Sequence, residues 1–123
     1  MRLRVGILTV SDRAYKGVYE DRSGPALRDE VEKLDWQAEQ ETVVADDANA
    51  IGEILINWCD QKRLDVVLTT GGTGLGPRDA TPEATRKILE KELPGLTEVM
   101  RREGSKKTTF AVLSRAVAGS RGQ

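Results

Sequence analysis

The most constraining feature of this sequence is a glycine-rich stretch from Leu64 to Glu83, which reads LDVVLTTGGTGLGPRDATPE. Its first part is short, apolar and β-branched, which is typical of a parallel strand covered on both faces. Four glycines follow between Gly71 and Gly76. Because glycine accepts positive φ angles, such a loop can turn several backbone N–H groups toward an anion. The stretch therefore predicts a buried strand, then a phosphate-binding loop at its carboxyl end, then a helix.

An ordinary strand-to-helix turn would also contain glycine, but a turn does not need four glycines. The loop also carries hydroxyl and acidic side chains, namely Thr70, Thr73 and Asp79. Thr81-Pro82-Glu83 is typical of the N-cap, N1 and N2 positions of a helix. The loop is not a Walker A motif, because no Lys-Ser/Thr pair follows the last glycine, and its spacing does not fit a dinucleotide fingerprint. A ligand-binding loop of another kind is favoured over a simple turn.

Composition limits the chemistry that this chain can perform. With 123 residues it forms one domain, and it contains no histidine, which excludes Ser-His and Cys-His catalysis and the usual histidine zinc sites. The one cysteine, Cys59, allows no internal disulfide and is compatible with a reducing cytosol. The formal net charge of −1 and the few aromatic residues argue against nucleic-acid binding. No apolar run reaches the length of a membrane span.

The remaining chain alternates between strand and helix patterns. Strands are expected over residues 3–10 and 39–45, the second toward the sheet edge, and the strand before the glycine loop is expected at the centre. Helices are expected from Pro25 to about residue 34, over 46–59, over 81–92 and over 96–103, and a further strand over 108–114. Such alternation indicates right-handed βαβ units, a mostly parallel sheet and an α/β fold.

Polar residues follow two other predicted strands. Ser11, Asp12 and Arg13 come after the first strand, where they are either ordinary loop residues or ligand contacts at the carboxyl end of a parallel strand. Asp46 and Asp47 begin a helix, and N-capping accounts for one of these carboxylates. The second carboxylate could reach a metal ion or a substrate. From the residues alone, both interpretations stay open at both places.

The chain resembles the molybdenum-cofactor biosynthesis family of MogA/MoaB proteins, which includes the G domain of gephyrin. The segments that carry the resemblance are LTVSDRAYKGVYEDRSGPAL, VVADD, LTTGGTGLGPRDATPEAT, LPGLTEVMR and LSRAVAG. They run through essentially the whole chain in the order of the family. The resemblance implies a three-layer α/β/α fold, a homotrimer, and a pocket that binds molybdopterin. Active members of the family transfer AMP from Mg-ATP to the terminal phosphate of molybdopterin.

The resemblance also implies roles for particular residues. Asp46 and Asp79 fall on the two important acidic positions of the family, where they would be catalytic and would hold Mg²⁺. The residues expected to bind substrate or nucleotide are Ser11, Asp12, Arg13, Thr70, Gly71, Gly72, Thr73, Gly74, Ser114 and Arg115. The expected function is thus adenylylation of molybdopterin by Mg-ATP in the cytoplasm, in a homotrimer that works with other molybdenum-cofactor enzymes. The alternatives are a non-catalytic molybdopterin-binding paralogue and a trimeric scaffold; neither nucleic acid nor membrane is expected as a partner.

Family members usually continue beyond the VAG turn with a further strand, which ends in an Asn-x-Pro-Gly segment, and then a final helix. The sequence ends at Gln123, so the expectation is a single molybdopterin-binding domain over residues 1–123 that lacks these two elements. A sheet without its last strand would have an unpaired edge.

Overall fold

The computed structural model of the chain describes residues 2–122. Its elements are β1 (Arg4–Val10), α1 (Asp12–Tyr15), α2 (Ser23–Lys33), β2 (Gln37–Val44), α3 (Ala48–Ile56), β3 (Val66–Thr70), α4 (Thr81–Ile88), β4 (Lys91–Glu92), α5 (Pro94–Ser105) and β5 (Gly119–Ser120). A π-helical turn over Asn57–Gln61 extends α3, and a 3₁₀ helix covers Thr109–Leu113. Strands and helices alternate, as the sequence predicts for an α/β fold.

Three parallel strands form the main sheet, in the order β2-β1-β3. At the carboxyl end of β1, Val10 lies beside Val44 and Thr9 lies beside Thr70, so all three strands end along one edge of the sheet. The parallel sheet and the edge position of β2 are confirmed. The central position predicted for β3 is wrong, because β1 lies between the other two strands. The burial agrees with this order, since β1 is buried from Val5 onward, whereas every residue of β3 is only half-buried.

Alternating side chains of β1 face two separate apolar cores. Val5 and Ile7 pack with Val31 of α2 on one face of the sheet. Leu8 and Val10 pack against α3 and α4 on the other face. Because successive side chains of a strand point to opposite faces, one central strand serves both cores. This arrangement is the expected three-layer α/β/α fold.

Gly6 allows Trp58 and Leu64 to pack closely against β1. A Cβ atom at this position would lie 2.6 Å from Cε3 of Trp58 and 2.7 Å from Cδ1 of Leu64. Trp58 is buried. The neighbouring Cys59 is half-buried, and loss of solvent raises the pKa of its thiol. Since the thiolate is the nucleophilic form, this environment makes Cys59 a poor nucleophile and favours a structural role for it.

The predicted ends of two helices are wrong. The second helix begins at Ser23 rather than Pro25, with Arg22 as its N-cap. The helix after the glycine loop ends at Ile88 rather than at residue 92, because Lys91–Glu92 pairs with Gly119–Ser120 in an antiparallel ribbon. This ribbon joins segments far apart in the sequence, which local periodicity does not reveal.

The strand predicted over residues 108–114 is also wrong. The hydroxyl of Thr108 accepts a hydrogen bond from the backbone N–H of Phe110 (3.3 Å), and this cap begins the 3₁₀ helix. The β-branched and aromatic residues that favoured a strand have no sheet neighbour, and Phe110 and Val112 are exposed. Local capping therefore prevails over β propensity where no partner strand is present.

No helix within residues 2–122 combines the length and the apolar character that a membrane span requires. The longest helix is α5, with 12 residues.

Replacement of Gly6 by alanine tests the packing of Trp58 on β1. We expect Gly6→Ala to lower the free energy of unfolding by about 1–3 kcal/mol, because the new methyl group overpacks the core. Gly52→Ala in α3 is the control: nothing lies within 4 Å of its Cβ position, and alanine should raise helix stability by up to about 1 kcal/mol. Urea unfolding of both variants measures the difference, and equal effects would contradict the steric explanation.

Candidate functional site

Polar segments meet where the three parallel strands end. Ser11 and Asp12 follow β1, Asp46 follows β2, and the glycine loop (residues 71–79) follows β3. The backbone N–H of Ser11 donates to the carbonyl of Val44 (2.9 Å), which joins the first two of these segments. The carboxyl edge of a parallel sheet is the usual position of a ligand site in such folds.

The glycine loop lies tightly against β1 and α4. Gly71 and Gly72 have φ angles of +94° and +69°, in the left-handed region. A Cβ on Gly71 would collide with the carbonyl of Val10, and one on Gly72 would collide with the hydroxyl of Thr81. Thr81 closes the base of the loop, since its N–H donates to Gly72 O (3.1 Å) and its hydroxyl to Gly71 O (2.9 Å). These contacts require glycine for both conformation and space.

The position of Thr81 corrects the sequence prediction by one residue. Thr81 is the first residue of α4 and Ala80 is the N-cap, which makes no side-chain hydrogen bond to the helix. The hydroxyl of Thr81 is used by the glycine loop instead of by the helix end.

The two candidate catalytic carboxylates border the glycine loop. A Cβ on Gly72 would lie 3.1 Å from Oδ1 of Asp46, and Cβ atoms on Gly74 and Gly76 would lie 3.0 and 2.9 Å from Oδ2 of Asp79. Asp79 also accepts a hydrogen bond from the N–H of Gly76 (2.9 Å). Because the glycines have no side chains, both carboxylates approach the loop backbone closely.

The adjacent residues Asp46 and Asp47 have different tasks. Asp47 is the N-cap of α3, and its carboxylate accepts from the N–H of Asn49 (3.1 Å). Asp46 turns instead toward β1, where its Oδ2 accepts from the N–H of Asp12 (2.9 Å). The capping interpretation therefore accounts for Asp47, and the second carboxylate lies at the carboxyl edge of the sheet.

Asp12 forms an ion pair with Arg78 of the glycine loop. Nε and Nη2 of Arg78 donate to the two oxygens of the Asp12 carboxylate at 2.6 and 3.2 Å. The hydrogen bond from Arg78, with that from the N–H of Asp46, lowers the pKa of Asp12. The same hydrogen bond raises the pKa of Arg78. The pKa of Asp12 is thus lowered chiefly by a loop residue that was not among the predicted site residues.

Arg115 stabilises the other side of the glycine loop. Its backbone N–H donates to Thr73 O, its Nε to Gly74 O and its Nη2 to Asp79 O, each at 2.8 Å. Its Nη1 donates to the carboxylate of Glu83 on α4 (2.6 Å), and this contact lowers the pKa of Glu83. The sequence expectation placed Arg115 in the binding pocket; the structure shows its guanidinium bound to the loop backbone and to Glu83.

Ser114 reaches the loop as well. Its hydroxyl donates to the hydroxyl of Thr73 (3.4 Å), while its carbonyl accepts from Nη1 of Arg101 on α5 (3.2 Å). Residues 114 and 115 therefore lie at the candidate site although they are far from the loop in sequence.

A cleft of about 330 Å³ opens beside the glycine loop. It is lined by Thr9, Val10, Ser11, Tyr19, Glu20, Asp21, Arg22, Ser23, Thr70 and Gly71. Of the predicted binding residues, Ser11, Thr70 and Gly71 line this cleft. Asp46 and Asp79 border the loop outside the cleft lining, and Arg13 is exposed on α1.

The segment over residues 19–23 forms one wall of the cleft and was not predicted from the sequence. Within it, Asp21 accepts from the hydroxyl of Thr9 (3.0 Å) and from the N–H of Gly24 (3.2 Å). The available signal was an acidic residue just before a helix start, which also fits simple capping. The hydrogen bond to Thr9 across the fold is what brings this segment to the cleft.

The two candidate carboxylates supply oxygen ligands of the kind that Mg²⁺ prefers. Among residues 2–122, no group of three or more His, Cys, Asp or Glu side chains is arranged to hold a metal ion. Asp46 and Asp79 each use one carboxylate oxygen to accept a backbone hydrogen bond, which leaves the other oxygen for a further partner. Mg²⁺ is commonly held by one or two carboxylates together with substrate phosphates, so these residues fit it in that form.

A three-layer α/β/α fold with a glycine loop and acidic residues at one sheet edge defines a class of protein that binds phosphate-bearing ligands there. Comparison with known proteins specifies the family. The profile of a family described as "Probable molybdopterin binding domain" matches residues 6–122. The chain belongs to this family, that of the MogA/MoaB proteins of molybdenum cofactor biosynthesis.

Individual relatives agree with this assignment. The chain is 45% identical over 124 residues to the molybdopterin adenylyltransferase of Helicobacter pylori strain J99, covering 97% of this chain and 69% of that protein. It is 40% identical over 123 residues to that of Escherichia coli K12, covering 98% of this chain and 63% of that protein. The solved structure of the molybdopterin biosynthesis enzyme MoaB from Thermus thermophilus superposes with a TM-score of 0.92 at 48% identity, covering 98% of this chain and 76% of that one.

Alanine at Gly72 tests whether close approach, in addition to the φ angle, makes this glycine necessary. Gly17 is the matched control, because its φ is +75° and nothing lies within 4 Å of its Cβ position. In both alanine variants the free energy of unfolding should fall by about 1 kcal/mol or more, because alanine is strained in the left-handed region. Gly72→Ala should lose about 1–3 kcal/mol more, because its methyl group meets Thr81 and Asp46. Urea unfolding measures both losses of stability. A similar loss in the two variants would show that the loop accommodates the methyl group at position 72 without a steric clash.

Proposed function

We propose that this protein is a molybdopterin adenylyltransferase, which transfers AMP from Mg-ATP to the terminal phosphate of molybdopterin during molybdenum cofactor biosynthesis. One observation carries the proposal. Asp46 and Asp79 border one glycine loop at the carboxyl ends of parallel strands. The chain with this site is 45% identical to a molybdopterin adenylyltransferase.

The reaction makes demands that such a site can meet. An oxygen of the molybdopterin phosphate forms a bond to the α-phosphorus of ATP, and the bond between that phosphorus and the leaving pyrophosphate breaks. Two anions must be brought together, so positioning and charge neutralisation matter more than proton transfer. Magnesium bound with ATP would neutralise part of this charge. A site without histidine is therefore chemically adequate.

The proposed roles of the residues follow from their positions. Asp46 and Asp79 are proposed to orient the magnesium-nucleotide complex from the two sides of the glycine loop. Backbone N–H groups of the loop (Gly71, Gly72, Thr73 and Gly74) are proposed to contact phosphate. Ser11, Thr70 and Gly71 line the neighbouring cleft, whose volume of about 330 Å³ lies at the small end of the range for ligand pockets. Arg13 and Ser114 complete the proposed binding set.

Asp79→Asn separates catalysis from binding. Asparagine keeps an oxygen that can accept the N–H of Gly76, so the loop should stay folded. We expect adenylylation to fall by about 100-fold or more, as when one preorganised electrostatic group is removed from an active site. Binding of molybdopterin should change by only a few-fold. Product is measured as the mass of adenylylated pterin, and binding by equilibrium ultrafiltration.

Asp65→Asn is the control for this experiment. The Asp65 carboxylate accepts from the N–H of Arg4 (2.8 Å) at the opposite end of the sheet, so its replacement should alter neither product formation nor binding. Equal loss of binding and product in Asp79→Asn would contradict the catalytic role of Asp79. Molybdopterin binding without product in the unaltered protein would favour a non-catalytic paralogue. If the unaltered protein shows neither molybdopterin binding nor product, a role as a trimeric scaffold would be favoured.

We also propose that the single domain over residues 1–123 assembles as a homotrimer through α5 and the 3₁₀ helix, which pack against each other. Large apolar side chains are exposed on both elements. They are Leu96, Val99 and Met100 on α5 and Phe110, Val112 and Leu113 on the 3₁₀ helix. The three on α5 lie at i, i+3 and i+4, on one helix face. Exposed apolar side chains on two elements that pack together are typical of an interface, and copies of the same chain are the occupant proposed here.

Charge placed on this surface should dissociate the trimer. In Met100→Lys we expect sedimentation velocity to report the monomer mass in place of the trimer mass, because lysine cannot be buried in an apolar interface without a partner. Leu34→Lys is the control, since Leu34 at the end of α2 is 59% exposed and Met100 is 61% exposed. A monomeric unaltered protein would contradict the trimer, and a trimer that persists in Met100→Lys and in Phe110→Lys would place the interface elsewhere.

The setting of the reaction belongs to the same proposal. ATP, Mg²⁺ and molybdopterin are the proposed small-molecule partners, and the cytoplasm is the proposed location. Other enzymes of molybdenum cofactor biosynthesis are the proposed macromolecular partners, because the adenylylated product is an intermediate that a later metal-insertion step must consume.

A further inference from the structure

Two carboxylates lie side by side at the ends of β1 and β2. The N–H of Asp12 donates to Oδ2 of Asp46 (2.9 Å), and the N–H of Asp46 donates to Oδ1 of Asp12 (3.0 Å). Each acidic side chain therefore binds the backbone of the other residue. Without a nearby cation this arrangement would be unfavourable, because two like charges are held close together at the end of the sheet.

Arg78 supplies that cation. Its guanidinium donates to both oxygens of Asp12, at 2.6 and 3.2 Å, and so fixes the plane of this carboxylate. Arg78 lies on the glycine loop next to Asp79, whereas Asp12 follows β1. The ion pair thus connects the loop to the end of the strand that carries the Asp46 contact.

Asp12 has little capacity left for a ligand. A carboxylate offers about four acceptor positions, and three are occupied by the two bonds from Arg78 and the one from Asp46 N–H. The Asp12 side chain is 25% exposed, and Asp12 is absent from the lining of the cleft. A substrate could reach at most the one acceptor position that remains on the Asp12 carboxylate.

We propose that Asp12 and Arg78 are positioning residues, which hold the carboxylate of Asp46 in the orientation required for adenylylation without touching the substrates themselves. This proposal rests on the proposed function, because it concerns how the same site is built. It replaces the substrate-binding role that the family resemblance implies for Asp12. Oδ2 of Asp46 accepts the hydrogen bond from the N–H of Asp12, so Oδ1 is the oxygen that faces the glycine loop and stays available for a ligand.

A double-mutant cycle with Arg78→Met, Asp12→Asn and the double variant tests the proposal by kinetics. We expect each single change to lower kcat by about 10–100-fold, the usual effect of losing an outer hydrogen-bond partner of a functional group. KM for Mg-ATP should stay within about twofold, because no substrate contact is removed. The double variant should be no slower than the slower single variant, because both changes break the same connection. Arg78→Lys keeps the positive charge but cannot bind both carboxylate oxygens in the same plane, so its kcat should lie between those of Arg78→Met and the unaltered protein.

Amide hydrogen exchange of the protein without substrates gives an independent readout. The N–H of Asp46 and the N–H of Asp12 should exchange faster in Arg78→Met, because the carboxylates that accept them are less firmly held. Arg28→Met is the control. It breaks the ion pair between Arg28 and Glu41 (2.7 Å) on the α2 side of the sheet, so it should change neither these two amides nor kcat.

The possible results distinguish this proposal from the proposed function. Two results together would show that Arg78 binds phosphate directly and would overturn the proposal. The first is a rise in KM for Mg-ATP of about tenfold or more in Arg78→Met, and the second is a loss of kcat in the double variant equal to the product of the two single losses. Unchanged exchange of the Asp46 amide in Arg78→Met would overturn it as well. If the unaltered protein forms no adenylylated product, the proposed function fails, and the exchange experiment still decides whether Arg78 positions Asp46 through Asp12.

Discussion

The site depends on the contact between the glycine loop and the end of β1. Gly71 lies against the carbonyl of Val10 so closely that no side chain fits between them, and Gly72 meets Thr81 and Asp46 in the same way. This contact determines where the loop runs, and hence which carboxylates border it. The parallel sheet supplies the other half of the constraint, because its three strands end along one edge. Loop and sheet together bring residues 11, 46 and 79 into one region.

Two ion pairs between arginine and carboxylate side chains lie at this edge of the sheet. Arg78 pairs with Asp12 and Arg115 pairs with Glu83, and each arginine also connects the loop to a different part of the fold. The two pairs leave Asp46 and Asp79 with backbone hydrogen bonds and without a direct ion pair of their own among the described residues. Carboxylates without an ion pair stay available to the proposed magnesium-nucleotide complex. The arginines thus stabilise the site while the charge that matters for the proposed reaction stays available.

Much of this organisation could be predicted from the sequence, and the failures have specific physical causes. The glycine pattern and the aspartates were found because conformation and charge are properties of short segments. The choice between Asp46 and Asp47 as helix cap stayed open, since it depends on a hydrogen bond to Asp12 across the sheet. Arg78 was missed because its partner is 66 residues away, and an exposed arginine in a loop has no local signature. The strand predicted over residues 108–114 failed for a related reason: strand formation needs a neighbouring strand, and residues 2–122 place none beside this segment.

The hydrogen bonds of Arg115 have a consequence for the order in which the molecule folds. Its guanidinium binds Gly74, which lies 41 residues earlier in the chain, so the loop gains this support only after the C-terminal segment has docked. The three strands of the main sheet and the helices between them are complete by Thr70. All three strands are therefore synthesised before the residue that supports the loop, and the site gains its last hydrogen bonds only after Arg115 has been added to the chain.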